Sequence, residues 1–503
     1  MLVSALSNWF PLAVNTLIGL LLTPFLIAQL GKKDYGIWAL TLSFVGYYGL
    51  LRLSVGTGIM RYVPFYAGRK EHEAASQVVS TGLAMFTIVG ALILLLSAVI
   101  AGPAARFYKG GRDLAVLVWI MGIVAAAECP SRIFDATLRA RERWTIANVV
   151  TVANAILYAA GLVTCLLLGY GLIEMGCAVI GSTLITLIIN IFVTRRVCPE
   201  LRLAVSLVKW QRVRELLAFG VLTVIGTMAY SLALQNHRLI IGKLVSLEAV
   251  GVYAVAAVLI EKVRSVVWAP LQVSWPRFAL LDGEGDYVGI TRLFQKTTRY
   301  SGMLASWTAL VLLVAGPSFI RLWVGDGFET AGSVLIVLGI GCLVESSLYA
   351  NGSLLGGTGR QGMVSLFAGI EAIGGFALSI VLGRKMGMVG VAWGFVVFVA
   401  LMRGLIVSWY VCRLLMLNPG THFVQTLLRP WLILTVLAVV GYWLGLPTYA
   451  NGWLPWLGLV CIVTALYGVL SFLFVFTQQE RQRAVEKARH ILARVDLLAD
   501  ARK

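Results

Sequence analysis

Charge is scarce in this 503-residue chain, at 13% of residues, against about a quarter in an ordinary soluble domain. Acid is scarcer still, with 23 Asp and Glu against 41 Lys and Arg. The seven cysteines are scattered and form neither a paired framework nor a metal-ligand spacing, so free thiols and no metal site are expected. There is no nucleotide-binding glycine loop, no metal-ligand cluster and no acid pair in a long loop. Those lacks argue against a membrane-embedded glycan polymerase or glycosyltransferase. No basic residue precedes Lys32, and the first apolar run is long enough to span, so no cleavable signal peptide is expected. Strict ten-residue alternation is missing too, which removes a membrane barrel.

Apolar sequence is abundant: 59% of the residues are hydrophobic. Runs of about twenty apolar residues recur along the whole chain, the pattern of transmembrane helices. About fourteen are expected, over roughly 9–30, 36–58, 77–101, 114–136, 146–168, 174–194, 216–237, 250–276, 298–319, 331–351, 363–382, 388–410, 430–446 and 455–477. Most Lys and Arg outside these runs fall on one side, in segments such as "RYVPFYAGRKEHEA" and "RRVCPELRLAVSLVKWQRVRE". The positive-inside rule makes that side cytoplasmic, with both termini on it. The net charge of +18 is thereby explained by topology and anionic lipid, without nucleic acid. The tail "QQERQRAVEKARHILARVDLL" repeats Val485, Ala488, Leu492, Val495 and Leu498 at helical spacing and reads as an amphipathic helix on the inner surface or a partner-binding helix.

The chain also repeats itself. "AGPAARFYKGG" at 101 returns as "AGPSFIRLWVGDG" at 315, "YGIWAL" at 35 as "VGVYAV" at 250, and "MRYV" at 60 as "PRFA" at 276. Glu128 and Glu345 each lie fifteen residues before an arginine. All four offsets fall between 214 and 217 residues. An even number of spans per half gives the halves the same orientation, related by an axis along the membrane normal. The expected fold is all-α and integral to the membrane: an N-lobe at 1–200, a C-lobe at 201–415, two further spans in 416–477 and a cytoplasmic tail at 478–503.

Six spans, six more and two extra resemble the multidrug/oligosaccharidyl-lipid/polysaccharide exporter superfamily, and within it the O-antigen-type polysaccharide transporters. The resemblance covers nearly the whole chain through Pro24, "LGKKDYGIWAL" (30–40), "GTGIMRYV" (56–63), "IIGKLVSLEAVGVYAVA" (240–256), "GRQG" (359–362) and "MGMVGVAWG" (386–394). It implies a bilobed transporter of the bacterial inner membrane. By alternating access it would turn an undecaprenyl-pyrophosphate-linked oligosaccharide from the cytoplasmic to the periplasmic leaflet, for O-antigen or exopolysaccharide synthesis. It further implies no cofactor and no catalytic residue, with H+ or Na+ coupling open, and a polysaccharide polymerase and chain-length proteins as possible partners alongside membrane lipids. A peptidoglycan-precursor flippase and a multidrug exporter are siblings within the superfamily. Many family members carry an acid near position 52, in an Asp-Leu-Gly motif, and an Asp near 237; this chain has "RLS" and "NHR", both shifts toward positive charge.

Charges inside apolar runs cost about 2.5–3.5 kcal/mol each on insertion scales, so each needs a reason. Arg52 and Arg264 map within a turn of one another across the repeat and are expected at a shared cavity, where guanidinium forks suit a pyrophosphate. Snorkelling is the plainer reading of Arg52. Glu261, one turn before Arg264, is either its salt-bridge partner or a cavity carboxylate. Lys262 and Arg403 are further cavity candidates, Arg403 with no local partner. Gln235, Asn236 and His237 form a polar cluster that touches sugar or interface water. Glu128, Arg132, Asp135 and Arg139 share one helical face and form either a structural ladder or an ion path. Glu345 and Glu371 are lone intramembrane acids, for packing or for ion coupling. Pro24, Pro130 and Pro270 are expected to loosen helices, while Gly102-Pro103 and Gly316-Pro317 are expected to stop them.

Overall fold

The computed structural model describes residues 2–68, 71–141, 143–217, 236–446, 450–476, 478 and 480–482. Among these residues there are helices and turns and no strand. The helices are α1 (Leu2–Gly68), α2 (His72–Phe107), α3 (Gly111–Ala140), α4 (Trp144–Leu167), α5 (Leu172–Val197) and α6 (Leu247–Trp268). They continue with α7 (Ser274–Gly283), α8 (Tyr287–Val324), α9 (Glu329–Ser347), α10 (Tyr349–Gly357) and α11 (Gln361–Val399). Last come α12 (Ser408–Leu414), α13 (Pro419–Phe423), α14 (Arg429–Trp443) and α15 (Trp453–Phe474). Residues 210–217 and 236–244 are also helical.

Two elements are double passes. A straight helix of 67 residues would run about 100 Å, far beyond a hydrocarbon core of about 30 Å. Gly31, at φ 74° and ψ 175°, breaks α1. Leu22, Thr23 and Leu26 of the first arm line one cavity with Tyr35, Trp38 and Ala39 of the second, so the two arms lie side by side. Gly387, at φ 60°, does the same to α11: the Ser379 hydroxyl donates to the Val391 carbonyl at 3.0 Å. Both turns need positive φ, which glycine adopts without steric cost. Ten helical stretches among the described residues are long and apolar enough to cross a membrane. The second arms at Gly31 and Gly387 and the charge-interrupted α6 add three passes, and most of the expected run at 216–237 lies outside the described residues.

The chain packs as two compact units. The first comprises residues 1–262, 323–338 and 359–402. Its apolar centre joins α1, α2 and α3 through Tyr48, Ile59, Val63, Phe86, Ile93, Cys129 and Ile133. Ser76, Ser80 and Thr81 on α2 strap the 198–217 segment to it, bonding the backbone of Arg202, Ala204 and Lys209. The second unit comprises 263–322, 339–358 and 403–503. Its centre gathers Ala305, Leu310, Val314, Leu343, Leu434, Val463 and Tyr467 from α8, α9, α14 and α15. These units group residues by packing, and their limits differ from the lobe limits expected from the repeat.

The repeat has a physical counterpart inside the first unit. A Cβ on Gly36 would fall 1.9 Å from the Leu247 carbonyl oxygen, and one on Gly251 would fall 2.4 Å from that of Lys32. Gly36 and Gly251, like Lys32 and Leu247, are 215 positions apart. The contact is therefore reciprocal, as two-fold-related surfaces require, and the backbones approach too closely for any side chain. Lys32 Nζ donates to the Gly327 carbonyl at 2.7 Å and Trp323 Nε1 to the Leu20 carbonyl at 2.6 Å, tying α1 to residues 323–327 of the same unit.

The expected proline stops are corrected. Pro103 lies inside α2 and Pro317 inside α8, and both helices run on for at least another turn. In a packed helix, neighbours and adjacent carbonyl partners re-satisfy the backbone freed by proline. Pro130 lies within α3 as expected.

Candidate functional site

Among the described residues, a deep charge cluster lies in the second unit and is built from three elements. Glu345, near the end of α9, is 1% exposed and faces two guanidinium groups. Arg264 Nη2, from α6, lies 3.1 Å from Oε2, and Arg403 Nη1 lies 3.1 Å from Oε1. Arg264 is buried, and Arg403 is the more open of the two, at 23% side-chain exposure. Trp268, one turn after Arg264, packs with its ring centre 5.8 Å from that guanidinium. Its Nε1 donates to Ser346 at 3.3 Å, and Cys342 Sγ lies 3.7 Å from the same hydroxyl.

Arg403 owes its position to an irregular helix. Residues Ala400–Val407 form a π-helix, a wide turn that is rare and concentrated at functional sites. Ser408 Oγ donates to the Arg403 carbonyl at 2.8 Å, and Asn351 Nδ2 donates to the same hydroxyl at 3.0 Å. The two arginines and one carboxylate sum to one positive charge in an apolar interior, where guanidinium matches the paired oxygens of carboxylate or phosphate.

These contacts correct one expectation: Glu345 is not a lone acid. Arg403, expected to lack a local partner, meets Glu345 58 positions earlier in the chain, too far for helical spacing to reveal. Arg264 likewise finds its carboxylate 81 positions away, at Glu345.

A second polar place lies in the first unit, where a cavity of about 240 Å3 is lined by both arms of α1, α4, α6 and Arg238. Glu261 and Lys262 face it, as do Asn15, Tyr35 and Tyr158. A Cβ on Gly19 would sit 3.3 Å from Lys262 Cε, so glycine leaves room for the ammonium arm. Sequence reasoning misses Arg238, Asn15, Tyr35 and Tyr158. Arg238 was still within reach, since it directly follows the polar cluster at 235–237.

The remaining candidates neither line that cavity nor belong to the Arg264–Glu345–Arg403 cluster. Asn236 Oδ1 accepts from Tyr47 at 2.6 Å. His237 is 6% exposed and packed between the rings of Phe395 and Tyr253, a buried aromatic setting and not interface water. On α3, Glu128 pairs with Arg132 at 3.6 Å and Asp135 with Arg139 at 2.9 Å. Arg139 also reaches Asn148 of α4. Glu371 is buried in the first arm of α11. Gln235 and the side chain of Arg52 lie outside the described residues, as do residues 483–503 of the expected amphipathic tail.

The fold is shared with solved transporters, among them members of the MOP superfamily. A lipid II flippase MurJ in an inward closed conformation matches with a TM-score of 0.71 at 14% identity, over 94% of this chain and 99% of that one. A multidrug resistance MATE family transporter of that superfamily, inward-facing, matches with a TM-score of 0.69 at 13% identity, over 81% and 98%. The family model described as polysaccharide biosynthesis protein matches residues 27–332, and the chain belongs to that family. Among curated relatives, a putative O-antigen transporter of Shigella flexneri is 19% identical, over 81% of this chain and 96% of its own length.

Proposed function

We propose that the protein is a flippase of the bacterial inner membrane. It carries a polyprenyl-diphosphate-linked oligosaccharide between leaflets during surface-polysaccharide synthesis, with both termini cytoplasmic. The observation that carries this reading is the convergence of Arg264 and Arg403 on the single carboxylate of Glu345. A transporter that sets two permanent cations, one buried and one partly open, against the carboxylate of Glu345 is suited to an anionic cargo. A diphosphate presents oxygens that guanidinium groups bind in parallel pairs. Membership of a polysaccharide biosynthesis family supports a glycan as the remainder of the cargo. Export of cationic drugs fits a net-positive site poorly, because like charge costs binding. No chemical step on the cargo is part of the reading.

The test is transport by the purified protein in proteoliposomes, using fluorescent polyprenyl lipids whose head is a diphosphate or a neutral group. The diphosphate lipid should cross and the neutral one should not. Arg264→Ala and Arg403→Ala should each cut the rate at least tenfold, and Arg→Lys should keep part of it, since charge survives without the fork. Equal transport of both lipids, or full activity in both Ala variants, would contradict the reading.

A further inference from the structure

We propose that Glu345 is a built-in competitor of the cargo: an internal carboxylate that occupies Arg264 and Arg403 in the empty carrier and is displaced when the diphosphate arrives. The proposal rests on the reading of these arginines as the anion site.

Three observations carry it. First, Glu345 engages both arginines through separate oxygens at equal distances of 3.1 Å. It therefore presents what one edge of a phosphate would present, two oxygens to two guanidiniums. Second, neither carboxylate oxygen has hydrogen-bond geometry toward a donor among the described residues. The three charges are held by Coulomb attraction and not by the bidentate forks that make arginine–carboxylate pairs strong. A cargo offering well-aligned oxygens exchanges a poorly directed contact for a well-directed one. Third, the two arginines differ in access. Arg264 is buried while Arg403 keeps 23% of its side chain open. An anion would thus meet Arg403 first and Arg264 only as Glu345 gives way.

Such a competitor answers a requirement of every carrier. Two bare guanidiniums in a low-dielectric interior would bind a diphosphate tightly and release it slowly, and transport needs both entry and departure. A tethered carboxylate lowers affinity and reoccupies the arginines as the cargo leaves. It also keeps a counter-charge beside the buried Arg264 while the empty carrier crosses its cycle, since breaking a buried pair is costly. A plain structural brace would instead stabilise the fold and have no signature in cargo affinity.

The experiment uses the full chain in nanodiscs, with inorganic pyrophosphate as the probe and isothermal calorimetry as the readout, beside the proteoliposome flipping rate. Glu345→Gln keeps the shape and removes the charge. It should bind pyrophosphate about tenfold more tightly than wild type while flipping more slowly, because release is retarded. Glu345→Asp keeps the charge but draws it back by one methylene, and should tighten binding by about threefold. It serves if the Gln variant does not fold. A folded variant of either kind that binds pyrophosphate no more tightly than wild type overturns the proposal and leaves the anion site standing. Pyrophosphate binding by neither wild type nor variant, all folded, overturns the anion site itself and the competitor with it.

Discussion

At the scale of single residues, the close glycine contact makes a sharp demand. Gly36 and Gly251 have opposing backbone where a Cβ would stand, so Gly36→Ala and Gly251→Ala should each destabilise the protein by about 1–3 kcal/mol through overpacking. Gly102 and Gly458 have nothing within 4 Å of the same atom, and alanine there should be near neutral. Thermal unfolding in one detergent compares all four. Equal melting temperatures would mean that the contact is not part of the stable fold. The charges show what was readable and what was not. Glu128–Arg132 and Asp135–Arg139 are neighbours by helical spacing alone, and both pairs form. The Arg264–Glu345–Arg403 cluster joins residues 58 to 139 positions apart, so periodicity could mark each as a costly intramembrane charge and could not say that they meet. His237 was legible as polar but not as buried, because one ring partner, Tyr253, lies on the next helix and the other, Phe395, lies 158 positions away.

At the scale of elements, hydropathy read the spans well because lipid demands about twenty apolar residues per pass. It read their ends less well. Proline inside an aqueous helix is a strong stop, but Pro103 and Pro317 sit in helices that continue, since packed neighbours relieve the lost hydrogen bond. The π-helix at 400–407 has no sequence signature that spacing rules detect. It makes Ser408 a positioning residue for Arg403, and Ser408→Ala should remove a hydrogen bond to the Arg403 carbonyl at a net cost of about 0.5–1.5 kcal/mol in stability. Its flipping rate should fall less than that of Arg403→Ala, and the proteoliposome assay ranks the two; equal loss would make Ser408 more than a support. The strap between α5 and the next span has its own lock. Arg212 reaches both oxygens of Glu215 at 3.0 and 2.9 Å, stacks over Tyr66 and bonds its hydroxyl. Arg212→Ala should lower stability by about 1–3 kcal/mol because it leaves Glu215 and Tyr66 short of a partner, and unfolding with and without the substitution measures this.

At the scale of the whole molecule, the constant offset of about 215 residues was the most informative regularity, because it links sequence to a reciprocal backbone contact between Gly36 and Gly251. An even number of passes and the Lys/Arg bias predict the topology. Reporter fusions near Ala204 and Gly285 should read cytoplasmic, and those near Lys109 and Gly327 should read external; two or more inverted readings would overturn that orientation. The central claim is that a buried cationic site moves an anionic lipid head between leaflets. Its most direct measurement is the amount of carrier-linked glycan on each leaflet, in cells producing wild type, Arg264→Ala or Arg403→Ala at matched protein level. The account predicts that glycan accumulates on the cytoplasmic leaflet in both variants and falls on the outer one. An unchanged distribution in both would contradict it.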